Sequence, residues 1–139
     1  MRKPTIKQLE KLCACSDGVK WYKSVKSKSV ESIIDGANDE QLRFCNWYIS
    51  RALSKKNCVM YAIYAAEKVL HIFEDEYPDD DRPRKAIQAA KDYLAGKMDA
   101  AYAAYAAYAA DAAYAAYAAA YAYTLRDIVK NGISLMEEQ

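Results

Sequence analysis

Residues 100 to 121 read AAYAAYAAYAADAAYAAYAAAY, an alanine-alanine-tyrosine repeat in which one aspartate, Asp111, takes a tyrosine's place. An α-helix turns about 100° per residue, so a three-residue repeat falls back by about 60° at each step. Tyr102, Tyr105, Tyr108, Asp111, Tyr114 and Tyr117 are then spokes that visit the whole circumference of the helix. A surface helix keeps its large residues on one stripe, whereas this one distributes them all round and fills the gaps with alanine. Alanine admits close backbone approach, and each tyrosine brings an apolar body with a hydroxyl that needs a partner when buried. The expectation is a long central helix, enclosed by the rest of the chain or self-associating through its alanine faces.

From Ala100 to Lys130 such a helix would measure roughly 46 Å, against a span of about 37 Å for a compact chain of this length. Thr124 with Asp127 three places on resembles a helix start, so a break or kink is expected near Tyr123 and Thr124. A carboxylate on a central helix has to be paired, bound to hydroxyls or protonated. Asp111 is therefore either a structural pair or the marker of a cavity lined by Tyr108 and Tyr114.

The remainder is helical too. Only four glycines and three prolines occur in 139 residues, and apolar residues fall at helical intervals. Pro4 opens a short helix that ends near Ser16-Asp17-Gly18, and weaker ones cover 19–25 and 30–35, the latter closed by Gly36. Asn38 and Gln41 form a capping-box pattern ahead of Leu42, Cys45, Ile49, Ala52 and Leu53, with an end near Ser54. Asn57 is expected to cap a helix over 58–75, stopped by Tyr77-Pro78. Asp81 is expected to cap the next, which begins RPRKAIQAA and ends at Gly96. The fold class is all-α: a compact bundle of about 6–8 helices in one domain spanning 1–139, with 1–97 wrapping an Ala/Tyr-rich helix at 98–131.

Charge and composition exclude several roles. Twenty basic residues against nineteen acidic give a net charge of +1, too little to steer the chain onto nucleic acid. Asp111 would sit near the bilayer centre if 100–123 spanned a membrane, and MRKPTIKQLEKL has no apolar run typical of a secretion signal. A cytoplasmic location follows, with Cys13, Cys15, Cys45 and Cys58 reduced and packed as small hydrophobes. One histidine, His71, read as helix surface, leaves no histidine-rich metal site, and Cys13 with Cys15 would point to opposite sides of a helix. The acidic run from Glu74 to Asp81 lacks the glycine of a calcium loop. No metal, cofactor or catalytic residue is expected, nor enzymatic activity.

Several side chains point instead to binding. Arg82 and Arg84 occupy the first turn of a helix, where the dipole disfavours cations, so each needs a partner: the acidic loop upstream or a bound anion. Trp47 and Arg51, four apart, either stack as a core tryptophan under a snorkelling arginine or jointly face a ligand. Lys20, Lys23, Lys26 and Lys28, interleaved with Trp21 and Tyr22, read as a solvated face anchored by Trp21.

The stretches ACSDGVKWY (Ala14 to Tyr22) and YAIYAAEKVLHIFEDEYPDDDRPRKAIQAAKDYL (Tyr61 to Leu94), followed by the alanine repeats, resemble a family of small alanine-rich helical proteins. These are carried by bacteria and phages and labelled immunity proteins. The resemblance covers most of residues 12–123 and is most specific at YPDDDRPRKAIQAA; the tyrosines of the repeat depart from it. It implies an all-helical, non-enzymatic protein of bacterial or phage conflict. Joined to the residues above, it supports sequestration of an anionic, nucleotide-like immune signal. Arg82, Arg84 and Arg51 would meet phosphates, Trp47, Tyr64, Tyr108 and Tyr114 would stack on a base, and Asp111 would accept hydrogen bonds. The alternative is an immunity protein that masks a protein toxin or defence effector with a helical face. Homo-oligomerisation through the alanine repeat is compatible with either.

Overall fold

The helices begin where side chains satisfy the first free backbone N–H groups. Thr5 caps α1 (Ile6–Lys11) and Asn38 caps α4 (Asp39–Ala52), each in a reciprocal capping box with the glutamine three residues on. Ser29 caps α3 (Val30–Asp35), while α2 (Ser16–Ser24) starts at Cys15 without a side-chain cap. The structure is a computed structural model that describes residues 4–26, 29–97, 99 and 121–138. The alanine-tyrosine repeat at 100–120, with Tyr108, Asp111 and Tyr114, lies outside the described residues, and so does its expected central placement.

Three further helices follow: α5 (Lys55–Glu76), α6 (Arg82–Leu94) and α7 (Tyr121–Glu137). All seven elements among the described residues are helical, as the periodicity predicts. None is long and apolar enough to cross a membrane.

Several boundaries differ from the sequence expectation. The first helix stops at Lys11, because Cys13 takes a left-handed backbone (φ 59°) that cannot continue it. Cys13 and Cys15 thus lie in a turn, exposed, and are neither helical nor packed as core. Ser54, not Asn57, caps α5: its hydroxyl accepts the Asn57 N–H at 3.3 Å, so the helix starts one turn earlier. At α6 it is Asp80, not Asp81, whose carboxylate accepts the first N–H, from Arg82 at 3.1 Å. The expected break near 123–124 is absent, since α7 runs unbroken through both residues. Gly96 does end α6 as expected: at φ +72° it lets the Gly96 and Lys97 N–H groups return to the carbonyls of Tyr93 and Asp92.

The chain divides into two compact units, Met1–Leu53 with Leu125–Gln139, and Ser54–Thr124. In the first, Leu9, Ile34, Leu42, Ile49, Leu125, Ile128 and Val129 are fully buried. Each such side chain stabilises by about 1.5–3 kcal/mol. The core therefore joins helices from the start of the chain to α7. Arg126 on α7 locks that join. Its guanidinium donates to the carbonyls of Ile34, Asp35 (2.9 Å) and Ala37 (2.9 Å), at and just beyond the C-terminal end of α3, where the regular helical hydrogen bonding ends. One turn on, Lys130 pairs with Asp35 at 2.7 Å. Arg126→Met keeps most of the stem but removes the guanidinium from those carbonyls, of which that of Ile34 keeps the Ala37 N–H. It is expected to cost about 2–3 kcal/mol in urea unfolding followed by tryptophan emission, and an unchanged midpoint would refute the capping role.

In the second unit, α5 and α6 pack as a hairpin. Tyr61, Ile63 and Val69 are buried on α5, and Pro83, Ala86, Ile87 and Ala89 on α6. Tyr77 stops α5 ahead of Pro78, and a Lys91–Glu67 ion pair at 2.6 Å crosses between the helices.

Candidate functional site

Arg51 and Trp47 meet as their spacing predicts. One helical turn apart on α4, they place the guanidinium carbon 4.7 Å from the indole centroid, and Arg51 Nη1 donates to the Trp47 carbonyl at 3.3 Å. Phe44 stacks on the same indole with centroids 5.5 Å apart, and Trp21 meets Phe44 edge-on at 5.7 Å. The result is an aromatic ladder from α2 to α4 capped by a cation. It spends Trp47's π surface and Arg51's charge on neighbours within the chain. Trp21 is the anchor that the lysine-rich face was expected to have.

Arg82 and Arg84 also have partners within the chain, Arg82 in the acidic loop just before α6 and Arg84 at the end of α5. Arg82 Nε and Nη2 reach the Asp80 carboxylate at 2.8 and 2.5 Å, and these hydrogen bonds hold that carboxyl at about 2. Arg84 forms a two-pronged pair with Glu74 on α5, at 2.8 and 2.7 Å. Lys85 closes on Asp81 at 2.8 Å, which raises the lysine above its ordinary value. Tyr77, half exposed, donates to Glu76 at 3.2 Å, and the nearby negative charge pushes its hydroxyl upward. The acidic loop thus partners Arg82, as one of the two expectations had it, while Arg84 is met by a carboxylate of α5. From Glu74 to Lys85 the tip of the hairpin carries six carboxylates against three cations, a balance that repels phosphate.

Tyr64 sits half-buried on α5 with the Lys68 ammonium 5.3 Å from its ring centroid. It lies ten residues before Glu74, about 15 Å along the helix. The expected binding set is thus divided: Trp47 and Arg51 belong to the first unit, Tyr64, Arg82 and Arg84 to the second, and Tyr108, Asp111 and Tyr114 fall outside the described residues.

The described residues of the first unit line an apolar recess and a larger groove. An apolar recess of about 50 Å³ is lined by Leu9, Trp21, Ile34, Phe44, Cys45 and Ile49 among others. It is far smaller than the roughly 300–1,000 Å³ of small-molecule sites. Burial there pushes the Cys45 thiol up to about 11, so it behaves as a core residue, and the half-buried Tyr22 hydroxyl donates to the Pro4 carbonyl at 2.7 Å. The second concavity is a half-open groove of about 420 Å³ between α3 and the end of α7. Sequence reading did not single it out. Its α7 wall is legible afterwards as Lys130, Ile133, Ser134 and Glu137, residues at i, i+3, i+4 and i+7 on one helix face. Its other wall comes from α3, about a hundred residues away in sequence, which periodicity cannot pair with it.

His71 is exposed, as read from the sequence, and no group of three or more potential ligands for a metal ion is found among the described residues. A family model described as Imm-5 like putative immunity protein matches residues 49–126, more than half of the chain. That stretch contains the whole of α5 and α6. No curated protein and no solved structure matches the chain.

Proposed function

The chain belongs to the Imm-5 like immunity protein family, and from that premise we propose that it neutralises a protein toxin or effector by binding and covering it, with no reaction of its own. One observation carries the choice of a protein over a small anion. The arginines that would have met phosphates are already closed, Arg84 on Glu74, Arg82 on Asp80 and Arg51 on Trp47. Opening Arg82 and Arg84 would sacrifice charge-assisted hydrogen bonds already made within the chain. The hairpin tip then presents an excess of carboxylates and a half-exposed Tyr77, a surface more complementary to a basic protein than to a nucleotide.

Sequestration of a nucleotide-like signal is the competing reading. It would depend on Tyr108, Asp111 and Tyr114 together with rearranged arginines. A single preparation separates the two. The tagged full chain, recovered from its native host under conflict conditions, is expected to carry one stoichiometric protein through gel filtration. Its supernatant after heating is expected to contain no nucleotide. Recovery of a nucleotide without a protein would overturn the masking role.

A further inference from the structure

The four cysteines of the chain differ in exposure. Cys45 lines the apolar recess and Cys58 is half-buried on α5. Cys13 and Cys15 are exposed, in the turn between α1 and α2. The backbone holds that turn in place: the Cys13 N–H donates to the Glu10 carbonyl and the Ala14 N–H to the Leu9 carbonyl, each at 3.0 Å. Leu12 and Ala14 are half-buried where Cys13 and Cys15 are exposed, and this alternation turns both thiols to the solvent side. Cys15 holds the N-cap position of α2, and its sulfur accepts no hydrogen bond from the helix. Cys13 adopts φ 59°, a left-handed backbone that glycine would meet at less cost, so its side chain stands there against local preference.

Residues two apart in a chain have Cα atoms at most about 7 Å from each other, and a disulfide accepts separations up to about 6.8 Å. A bridge between Cys13 and Cys15 therefore needs no more than a small adjustment of the turn. It would close the shortest kind of loop and so constrain the unfolded chain least, and exposed or strained bridges are the readily reduced ones. We infer that Cys13 and Cys15 form a reversible dithiol–disulfide site whose co-reactant is a low-molecular-weight disulfide. One cysteine thiolate attacks a sulfur of that disulfide and expels the first small thiol, leaving a mixed disulfide on the chain. The other cysteine thiolate attacks the chain-borne sulfur of the mixed bond and expels the second. The two cysteines lose two electrons and two protons, and the small disulfide gains them as two thiols. An excess of the small thiol runs the same steps backwards. The site is independent of the masking role, since it uses no residue of α5 or α6.

The test uses the reduced full chain, incubated with glutathione disulfide, quenched with acid, alkylated and digested with trypsin. Cleavage after Lys11 and Lys20 releases both cysteines in one peptide, Leu12 to Lys20. Mass spectrometry is expected to find that peptide two hydrogens lighter than the dithiol and unalkylated, while the peptides holding Cys45 and Cys58 are alkylated. Excess reduced glutathione should restore the dithiol. Reaction at Cys13 and Cys15 should outpace reaction at the buried Cys45 by at least about tenfold. Cys13→Ser should halt with one glutathione on the peptide and no internal bridge, and Cys15→Ser supplies the same reading if the first variant loses the native tryptophan emission. An unreacted dithiol, glutathione on both cysteines without closure, a bridge joining two chains, a bridge that excess thiol leaves intact, or equal reaction at Cys45 would overturn the inference.

Discussion

Val129→Asp is expected to unfold the first unit at neutral pH. Val129 has no solvent exposure and shares its core with Leu125 and Ile128, also on α7, and with Leu9, Ile34, Leu42 and Ile49. An ionised carboxylate there has no partner, and it must remain charged in an apolar setting or take a proton at a raised pKa. Either route costs several kcal/mol. The burial of the valine, about 1.5–3 kcal/mol, is lost as well. Against a total stability of about 5–15 kcal/mol for a domain, the sum removes most or all of it. The readout is direct, because Trp21 and Trp47, the two tryptophans of the chain, both lie in this unit. Their emission should move to the red, and hydrogen exchange should accelerate in 4–53 and 125–137 more than in α5 and α6. Native emission and an unchanged melt would show that α7 is not part of the core.

Gly18→Val should destabilise the same unit by about 3 kcal/mol, near the upper end for overpacking. Gly18 is buried on α2, and a Cβ built there would overlap the Phe44 ring, with Phe44 Cγ 3.0 Å away. On an exposed helix the same change would be mildly favourable, because glycine is a poor helix former. The sign is decided by whether Phe44 can step aside. It is held by the Trp21 edge on one contact and by stacking on Trp47 at another, so displacing it disturbs the whole ladder, including the Arg51 cap. Phe44→Leu in the Gly18→Val background should recover part of the loss, a non-additivity that a double-mutant cycle measures. Gly18→Val alone raising the unfolding midpoint would mean that the α2–α4 contact is looser than described.

The all-helical class was legible because it depends on local pattern: 3.6-residue periodicity, the capping box at Asn38 and the terminal glycine at 96, whereas the Thr5 box, one residue past the Pro4 expected to open α1, was not read. The cap of α5 at Ser54 and the hydrogen bond accepted by Asp80 at α6, where Asp81 does hold the N-cap position, depart from expectation for one cause. Where two hydrogen-bonding residues lie within a turn of each other, either can serve as cap, and the neighbouring backbone selects. The arginines at 82 and 84 were correctly recognised as out of place for their helix position. What could not be read was which partner satisfies them, because Glu74 meets Arg84 only once α5 and α6 fold back on each other.

Local rules on their own settled where the chain becomes helical and that its odd cations require carboxylates or anions, since those preferences act within a few residues. The division into two units, the return of α7 to complete the first core, and the pairing of α3 with α7 around a groove were decided by tertiary structure. The reason is range: contacts such as Arg126 with Ile34, 92 residues apart, follow from how apolar faces exclude water together, and no window of sequence contains both partners.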